Sequence, residues 1–212
     1  MYEQHQVRLI NPPSASMVSR RKPYQLSVLR RLGCPLPDTL ISNHYPDVKA
    51  FIQQHNGLNG DVILKPAAGG ALTLTPEHIS EERLKRIRFA PAIFQQRIHG
   101  SDIRVVVVDD QVVSAAKINV PDHTLDFRGD QTYQQGQITY DTITLPKKIA
   151  ALCVAVTQQL GLVIGGIDLK LTATGDFYFL ECNSSPIYLD VERKLQHPIT
   201  EMICLNFNHK KA

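Results

Sequence analysis

Asp168, Glu181 and Asn183 are three oxygen-bearing side chains within a stretch that reads strand, turn, strand: IGGIDLKLTATGDFYFLECNSSP, residues 164–186. A two-residue turn at Thr174-Gly175 sets Asp168 directly opposite Glu181. Asn183 lies two residues on and so faces the same way as Glu181. Gly166 falls opposite Asn183 and is expected to leave that end of the face open. Two carboxylates and an amide oxygen gathered in this way form a hard donor set. Mg²⁺ favours such a set, taking one or two carboxylates and completing its shell with water and nucleotide phosphates. An ordinary hairpin with solvated acids has the same letters. The surrounding strands are apolar, however, and acids drawn into such strands need a partner, which favours the metal reading.

Further candidates are the cations and glycines that handle phosphate. Lys65 ends DVILKP (61–66), a strand before a glycine-containing loop in which Gly69 and Gly70 let backbone N–H groups approach an anion. No GxxxxGK[ST] pattern is present, and a solvated lysine at a strand end is the plainer reading of Lys65 alone. Ile103–Val108 and Val112–Ile118 form a second hairpin over Asp109-Asp110, which places Lys117 opposite Asp102 and Arg104 opposite Ala115. Asp102 and Arg104 share a face. They either make a cross-strand ion pair worth at most roughly 1 kcal/mol, or face a ribose and a phosphate or carboxylate. Arg128, between Asp126 and Asp130, either sits in a mixed-charge surface loop or grips a planar anion in two places. The histidines share no spacing and read as surface residues.

Several elements must position these groups. The polar, proline-interrupted start reads as an arm over residues 1–18. Ser19 caps a helix through about Leu32, with Pro23 in its first turn and Gly33 ending it. GCPLPDTLIS is an extended connector, and Asp47–His55 a short helix. Pro76–Arg88 is a charged helix and AIFQQRI (92–98) a strand. Residues 119–145 are polar and irregular. Pro146–Leu160 is an amphipathic helix with Ile149, Leu152, Val156 and Leu160 on one side. A last helix lies near Pro198–Phe207. Antiparallel hairpins with interspersed helices indicate an α+β fold.

The 212 residues are 43% hydrophobic and 20% charged, enough for a sizeable core. A net charge of +3 gives no case for nucleic acid as a partner. No apolar run spans a membrane and no signal-peptide core opens the chain, so a cytoplasmic protein without a membrane partner is expected. Cys34, Cys153, Cys182 and Cys204 lack metal or redox spacing and read as buried free thiols.

Taken in order, the segments from about Ser19 to Pro186 resemble the ATP-grasp superfamily of carboxylate–amine ligases, in the branch with peptide glutamate ligases and graspetide-type macrocyclases. SRRKPYQLSVLRRLGCPLPDT resembles the opening of that domain, and VILKP its phosphate-contacting strand. IFQQRIHGSDIRVVVVDDQVVSAAKI resembles the interlobe hinge and the strands after it, and LDFRGD the segment with the phosphoryl-stabilising arginine. The resemblance implies two α+β lobes, 19–94 and 95–212, with a nucleotide cleft between them. It implies that Lys22 and Lys65 contact phosphate, that Gln95, Gln96, Arg97 and Ile98 read adenine, and that Asp102 faces the ribose. Arg104 and Arg128 would stabilise the transferring group, with Asp168, Glu181 and Asn183 as Mg²⁺ ligands. The implied cofactors are ATP and Mg²⁺, with Mn²⁺ as a substitute. The implied partners are small-molecule or peptide carboxylates and amines, and a homodimer or a separate partner domain. The implied reaction activates a carboxylate as an acyl phosphate and joins it to an amine or hydroxyl. A non-catalytic ATP-binding regulatory module and a phosphotransferase are the alternatives on the same fold. Three departures stand out. The loop PAAGGALTLT is short, Gln96 replaces a usual glutamate, and the residues before Ser19 leave little room for the α/β domain that ordinarily precedes the lobes.

Overall fold

The computed structural model describes residues 9–56, 61–67, 73–76, 79–120 and 135–209. These form two compact units. The first is drawn from Met1–Leu36, Gly100–Asn119 and Thr139–Ala212, the second from Pro37–His99 and Val120–Ile138. The chain therefore leaves the second unit for the first at His99–Gly100.

The second unit holds a three-stranded antiparallel sheet of β1 (Thr39–Ser42), β2 (Val62–Pro66) and β3 (Ala92–Gln96), in the order β1-β3-β2. The segment expected to be an extended connector thus contributes β1, which pairs with β3. Helix α3 (Tyr45–Gln54) buries Val48 and Ile52 against Val62 and Phe94, along with Leu84 from α4 (Glu81–Lys85) and Ile87 from the 3₁₀ turn that follows. α4 is shorter than the helix expected over 76–88. It starts where the Ser80 side chain accepts the Arg83 N–H, an N-cap that the sequence reading did not use.

The first unit is built on a five-stranded antiparallel sheet ordered β6-β5-β4-β7-β8. Its strands are β4 (Ser101–Val108), β5 (Gln111–Asn119), β6 (Thr139–Thr142), β7 (Ile164–Leu171) and β8 (Phe177–Asn183). Two helices lie on one face, α2 (Lys22–Arg31) and α5 (Lys147–Gln159). Val28, Leu29, Ile149, Cys153 and Val156 pack there on Ile103, Val105, Ile167, Leu169 and Phe179. Burying that many large side chains contributes about 2 kcal/mol each before chain entropy is charged. At one end of the other face, Ile199 of α7 (Ile199–His209) meets Val106, Val108 and Ile164. That face also carries the charged side chains of Asp102, Arg104, Asp168 and Lys170.

Further expectations need correcting. Ser19 does not cap the second helix: it ends α1 (Pro13–Ser19), the chain turns at Arg20–Arg21, and α2 starts at Lys22 with proline in its first turn. Part of the presumed arm is therefore helical. Residues 119–145 are not wholly irregular, since β6 pairs with β5. A short helix, α6 (Leu189–Leu195), also precedes α7. No described helix is long and apolar enough to cross a membrane.

Candidate active site

Asp168 is paired with Glu181 and Gly166 with Asn183, the expected register, but the chain reaches it by another route. The turn is not the two-residue kind. The Gly175 N–H bonds to the Thr172 carbonyl, the Thr172 N–H bonds to the Asp176 carbonyl, and Gly175 adopts φ +89°. That shifts the register by one, so that Leu169 faces Phe179. A bulge between Asp168 and Leu169 of the ladder, with Leu180 as the extra residue, shifts it back. The bulge also decides which side the acids face. Strict alternation from the core residue Phe179 would turn Glu181 inward. With Leu180 inserted, Cys182 takes the core position, and Glu181 and Asn183 join Asp168 on the opposite face.

On that face the Asn183 amide Nδ2 donates to Asp168 Oδ2 at 3.0 Å and to Glu181 Oε1 at 3.4 Å. Arg104 Nε lies 2.6 Å from Asp168 Oδ1, with side-chain exposures of 13% and 18%. No acceptor among the described residues meets Nε in hydrogen-bond geometry, so the contact is held by charge. Next to it Lys170 Nζ lies 2.9 Å from Asp102 Oδ1 and donates to the Gly100 carbonyl at 3.3 Å. These pairs cross from β4 to β7, where Asp102 is registered with Lys170 and Arg104 with Asp168. The pairing expected across the other hairpin is wrong by one residue. A bulge at Val106/Val107 sets Asp102 opposite Ile118 and Arg104 opposite Ala116, and Lys117 pairs with Ile103. Asp102 is paired instead with Lys170 of β7, not with Lys117.

Gly166 does not leave the face open. Its backbone lies under Pro186, and a Cβ there would fall under 3.0 Å from Pro186 Cβ and 3.3 Å from Cγ. The SSP segment after Asn183 therefore folds back over β7 at the edge of the acid cluster.

The donor set suits a divalent cation. Two carboxylates in register carry one oxygen each within reach of a single carboxamide, and that carboxamide has its own oxygen to offer. Among the described residues no group of three His, Cys, Asp or Glu side chains could hold a metal.

In the second unit Lys65 Nζ donates to Gln95 Oε1 at 3.2 Å, and Gln95 Nε2 donates to Thr39 Oγ1 at 2.9 Å. Two candidate residues thus meet directly. The Gln96 and Arg97 N–H groups are engaged by the Asp38 and Asp61 carbonyls, each at 2.8 Å. Both of these N–H groups are therefore committed within the second unit. Lys22 is half-buried at the first position of α2. Gly69, Gly70 and Arg128 lie outside the described residues.

Two positioning side chains escaped the sequence reading. Gln25 of α2 is buried, and its carboxamide grips both backbone groups of Cys182: Oε1 accepts the N–H at 2.9 Å and Nε2 donates to the carbonyl at 2.7 Å. Nε2 also reaches the Ser19 carbonyl. A signal was present, because Gln25 occupies the apolar stripe that continues at Val28, Leu29 and Leu32. Asn11 accepts the Val163 and Ile164 N–H groups at 2.6 and 2.8 Å and donates to the Ile164 and Ser184 carbonyls, both at 2.7 Å. Nothing local in the sequence marks it.

Three of the four thiols are buried as expected, whereas Cys204 is exposed. Burial pushes the Cys34 thiol up to about 11. Burial does the same to Cys182, with Asp168 and Glu181 adding to it, and carries it to about 12. Cys153 is raised further, again mainly by burial.

The RimK-like ATP-grasp domain matches residues 19–205. The chain belongs to that family. Among curated proteins it is 27% identical to N-acetylaspartylglutamate synthase A of Homo sapiens over 190 residues, 86% of this chain and 47% of that protein. It is also 27% identical over 210 residues to a probable alpha-L-glutamate ligase of Legionella pneumophila, 96% of this chain and 67% of that protein. The chain thus spans about half the length of the first of these relatives. Among solved structures, the ATP-grasp ligase PsnB complexed with minimal precursor superposes with a TM-score of 0.80 at 32% identity, covering 97% of this chain and 66% of that one. The macrocyclase MdnC of Microcystis aeruginosa, bound with precursor peptide MdnA, gives 0.75 at 25% identity, covering 93% and 63%.

Proposed function

We propose that this chain is the nucleotide-binding part of an ADP-forming ligase that activates a carboxylate as an acyl phosphate and joins it to an amine, with a peptide or amino-acid substrate. The observation that carries the reading is the Asp168–Glu181–Asn183 cluster on a RimK-like ATP-grasp domain. The curated relatives have glutamate in their names, and PsnB and MdnC were solved with precursor peptides, which supports substrates of that kind.

A carboxylate and an amine do not condense at neutral pH unaided, so ATP supplies the leaving group and the protein positions and neutralises. Asp168, Glu181 and Asn183 would hold Mg²⁺, whose contribution when bound is to neutralise phosphate charge. Mn²⁺ is the expected substitute. Lys65, fixed against Gln95, and Lys22 would neutralise the polyphosphate. Gly69 and Gly70 would let backbone N–H groups approach it. Ile98, with Gln95, Gln96 and Arg97 beside it, would meet the adenine. Asp102, oriented by Lys170, would face the ribose. Arg104 is already drawn to the acid cluster and would stabilise the transferring group together with Arg128. No side chain needs to act as a covalent nucleophile.

Calorimetry of ATP binding with and without Mg²⁺ tests the site, on the wild type and on Asp168→Asn and Glu181→Gln. Mg²⁺-dependent binding that weakens in both variants is expected. ADP release that needs both a carboxylate and an amine, and is lost in a folded Glu181→Gln protein, establishes the ligase. Undiminished ATP consumption by that variant would sink the assignment. Capture of an acyl hydroxamate by hydroxylamine is expected, and a phosphorylated product stable to hydroxylamine would point to a phosphotransferase instead.

A further inference from the structure

We infer that Gln25 and Asn11 are positioning residues that preset Glu181 and Asn183 for the cation by clamping the backbone on both sides of Asn183. The inference rests on the proposed Mg²⁺ site and goes beyond it to residues that touch neither metal nor nucleotide. Among the described residues β8 is the edge strand of its sheet, with no strand paired to one side of its backbone. An edge segment carrying a bulge is free to change twist and register. Here the outward N–H and carbonyl of Cys182, the residue between Glu181 and Asn183, are both taken by the Gln25 carboxamide. The carbonyl on the far side, at Ser184, is taken by Asn11, whose oxygen and nitrogen are otherwise committed to Val163 and Ile164 at the start of β7. Further back, the Phe179 N–H is held by the Pro35 carbonyl at 2.9 Å.

The hydrogen-bond chemistry fixes both carboxamides in one orientation, because each presents its oxygen to N–H groups and its nitrogen to carbonyls. Gln25 is buried and meets backbone at both ends, so its rotamer has nowhere else to satisfy its polar atoms. Asn11 ties the strand with Asp168 to the segment after Asn183, so the clamp acts on both ligand strands. Partners that orient ligating side chains ordinarily change metal affinity by about 10- to 100-fold when removed. The geometry demands that effect here through the main chain: a shift of Cys182 moves the two ligands flanking it.

The test uses Gln25→Met, which keeps the length and loses the bonds to Cys182 and Ser19. Amide hydrogen exchange in nucleotide-free protein reads the clamp directly. The Cys182 amide exchanges slowly in the wild type despite its edge position, and quickly in Gln25→Met. Calorimetry then separates metal from nucleotide. Mg²⁺ affinity of the ADP-loaded protein falls about 10-fold or more, and ADP affinity in EDTA stays at the wild-type value. A merely structural residue would lower both or neither. Should Gln25→Met fail to fold, Asn11→Asp carries the test: it keeps the acceptors and loses the donors to Ile164 and Ser184, and Mg²⁺ affinity falls in the same sense. A folded variant with wild-type Mg²⁺ affinity, or a fast-exchanging Cys182 amide in the wild type, overturns the inference. A wild type that takes ADP but no Mg²⁺ overturns the site itself, which is a different result.

Discussion

Replacing Gly166 with alanine adds one methyl group at the border of the acid cluster, and its effect follows from the packing. The new Cβ would sit under 3.0 Å from Pro186 Cβ and 3.3 Å from Cγ. Carbon atoms settle at about 3.5–4.0 Å, so Pro186 has to retreat by about 1 Å. Its ring is rigid and leaves no rotamer to absorb the clash, so the main chain of Ser184–Pro186 moves instead. Overpacking of this kind costs roughly 1–3 kcal/mol. For a protein of this size each kcal/mol lowers Tm by about 2–4 °C, so a loss near 5 °C is expected by calorimetric melting. The neighbouring Gly165 points to the other face, where a Cβ would meet Thr157 Oγ1 at 2.6 Å and Cys182 Sγ at 3.2 Å. Gly165→Ala should therefore cost a similar amount of stability. Both variants are expected to weaken Mg²⁺-dependent ATP binding, Gly166→Ala through Pro186 at the edge of the acid cluster and Gly165→Ala through Cys182, between Glu181 and Asn183. Gly166→Ala with wild-type Tm and wild-type Mg²⁺ dependence would refute the packing argument.

Arg104→Met removes the cation 2.6 Å from Asp168, in a place where both side chains are largely buried. A loss on the order of 3 kcal/mol in urea unfolding is expected, and Mg²⁺ should restore more stability to the variant than to the wild type; equal protection of both would count against a cation site there. Native protein should release one rapidly reacting thiol, Cys204, to a thiol reagent near pH 8, and the other three only on unfolding. Those three thiols ionise at higher pH folded than unfolded, so the folded state binds more protons in the alkaline range. Stability is full below pH 9.0, the ordinary thiol value here, and declines as pH rises toward about 11–12; a urea midpoint that does not fall between pH 8 and pH 10.5 would contradict the burial. Lys65→Met should weaken ATP binding while leaving Tm within about 1 °C, since a partly exposed polar contact contributes little to stability.

How far the letters reach is clearest at the ligand hairpin. The apolar alternation and the turn residues identify two strands, and the pairing of Asp168 with Glu181 was legible. Its details were not, because two one-residue shifts of opposite sign cancel. One is a turn with Gly175 in the left-handed region, the other an extra residue at Leu180. A bulge lowers its energy through the twist of a whole sheet, which no local pattern encodes. The same effect misplaced Lys117, whose hairpin has a bulge after a correctly read turn. Strands β1 and β6 have four residues each and gain their order from neighbouring strands rather than from their own composition. Gln25 and Asn11 act on residues more than 150 positions away, so their roles appear only after the chain has folded.

The first unit is assembled from stretches separated by other sequence, and that has a consequence for its synthesis. Strand β4 ends at Val108 and its partner β7 begins at Ile164. A ribosome working at about 5–20 residues per second needs roughly 3–10 s to deliver the second after the first. Through that interval the β4–β5 hairpin carries Val105, Val106, Val107 and Val108 along an open strand edge, a ready template for pairing with another nascent chain. The described strands of the second unit, between Thr39 and Gln96, have by then already been synthesised. The hazard of this protein in the cell is therefore one of timing. Slower elongation between residues 109 and 163 should raise its insoluble fraction, whereas slowing before residue 97 should not.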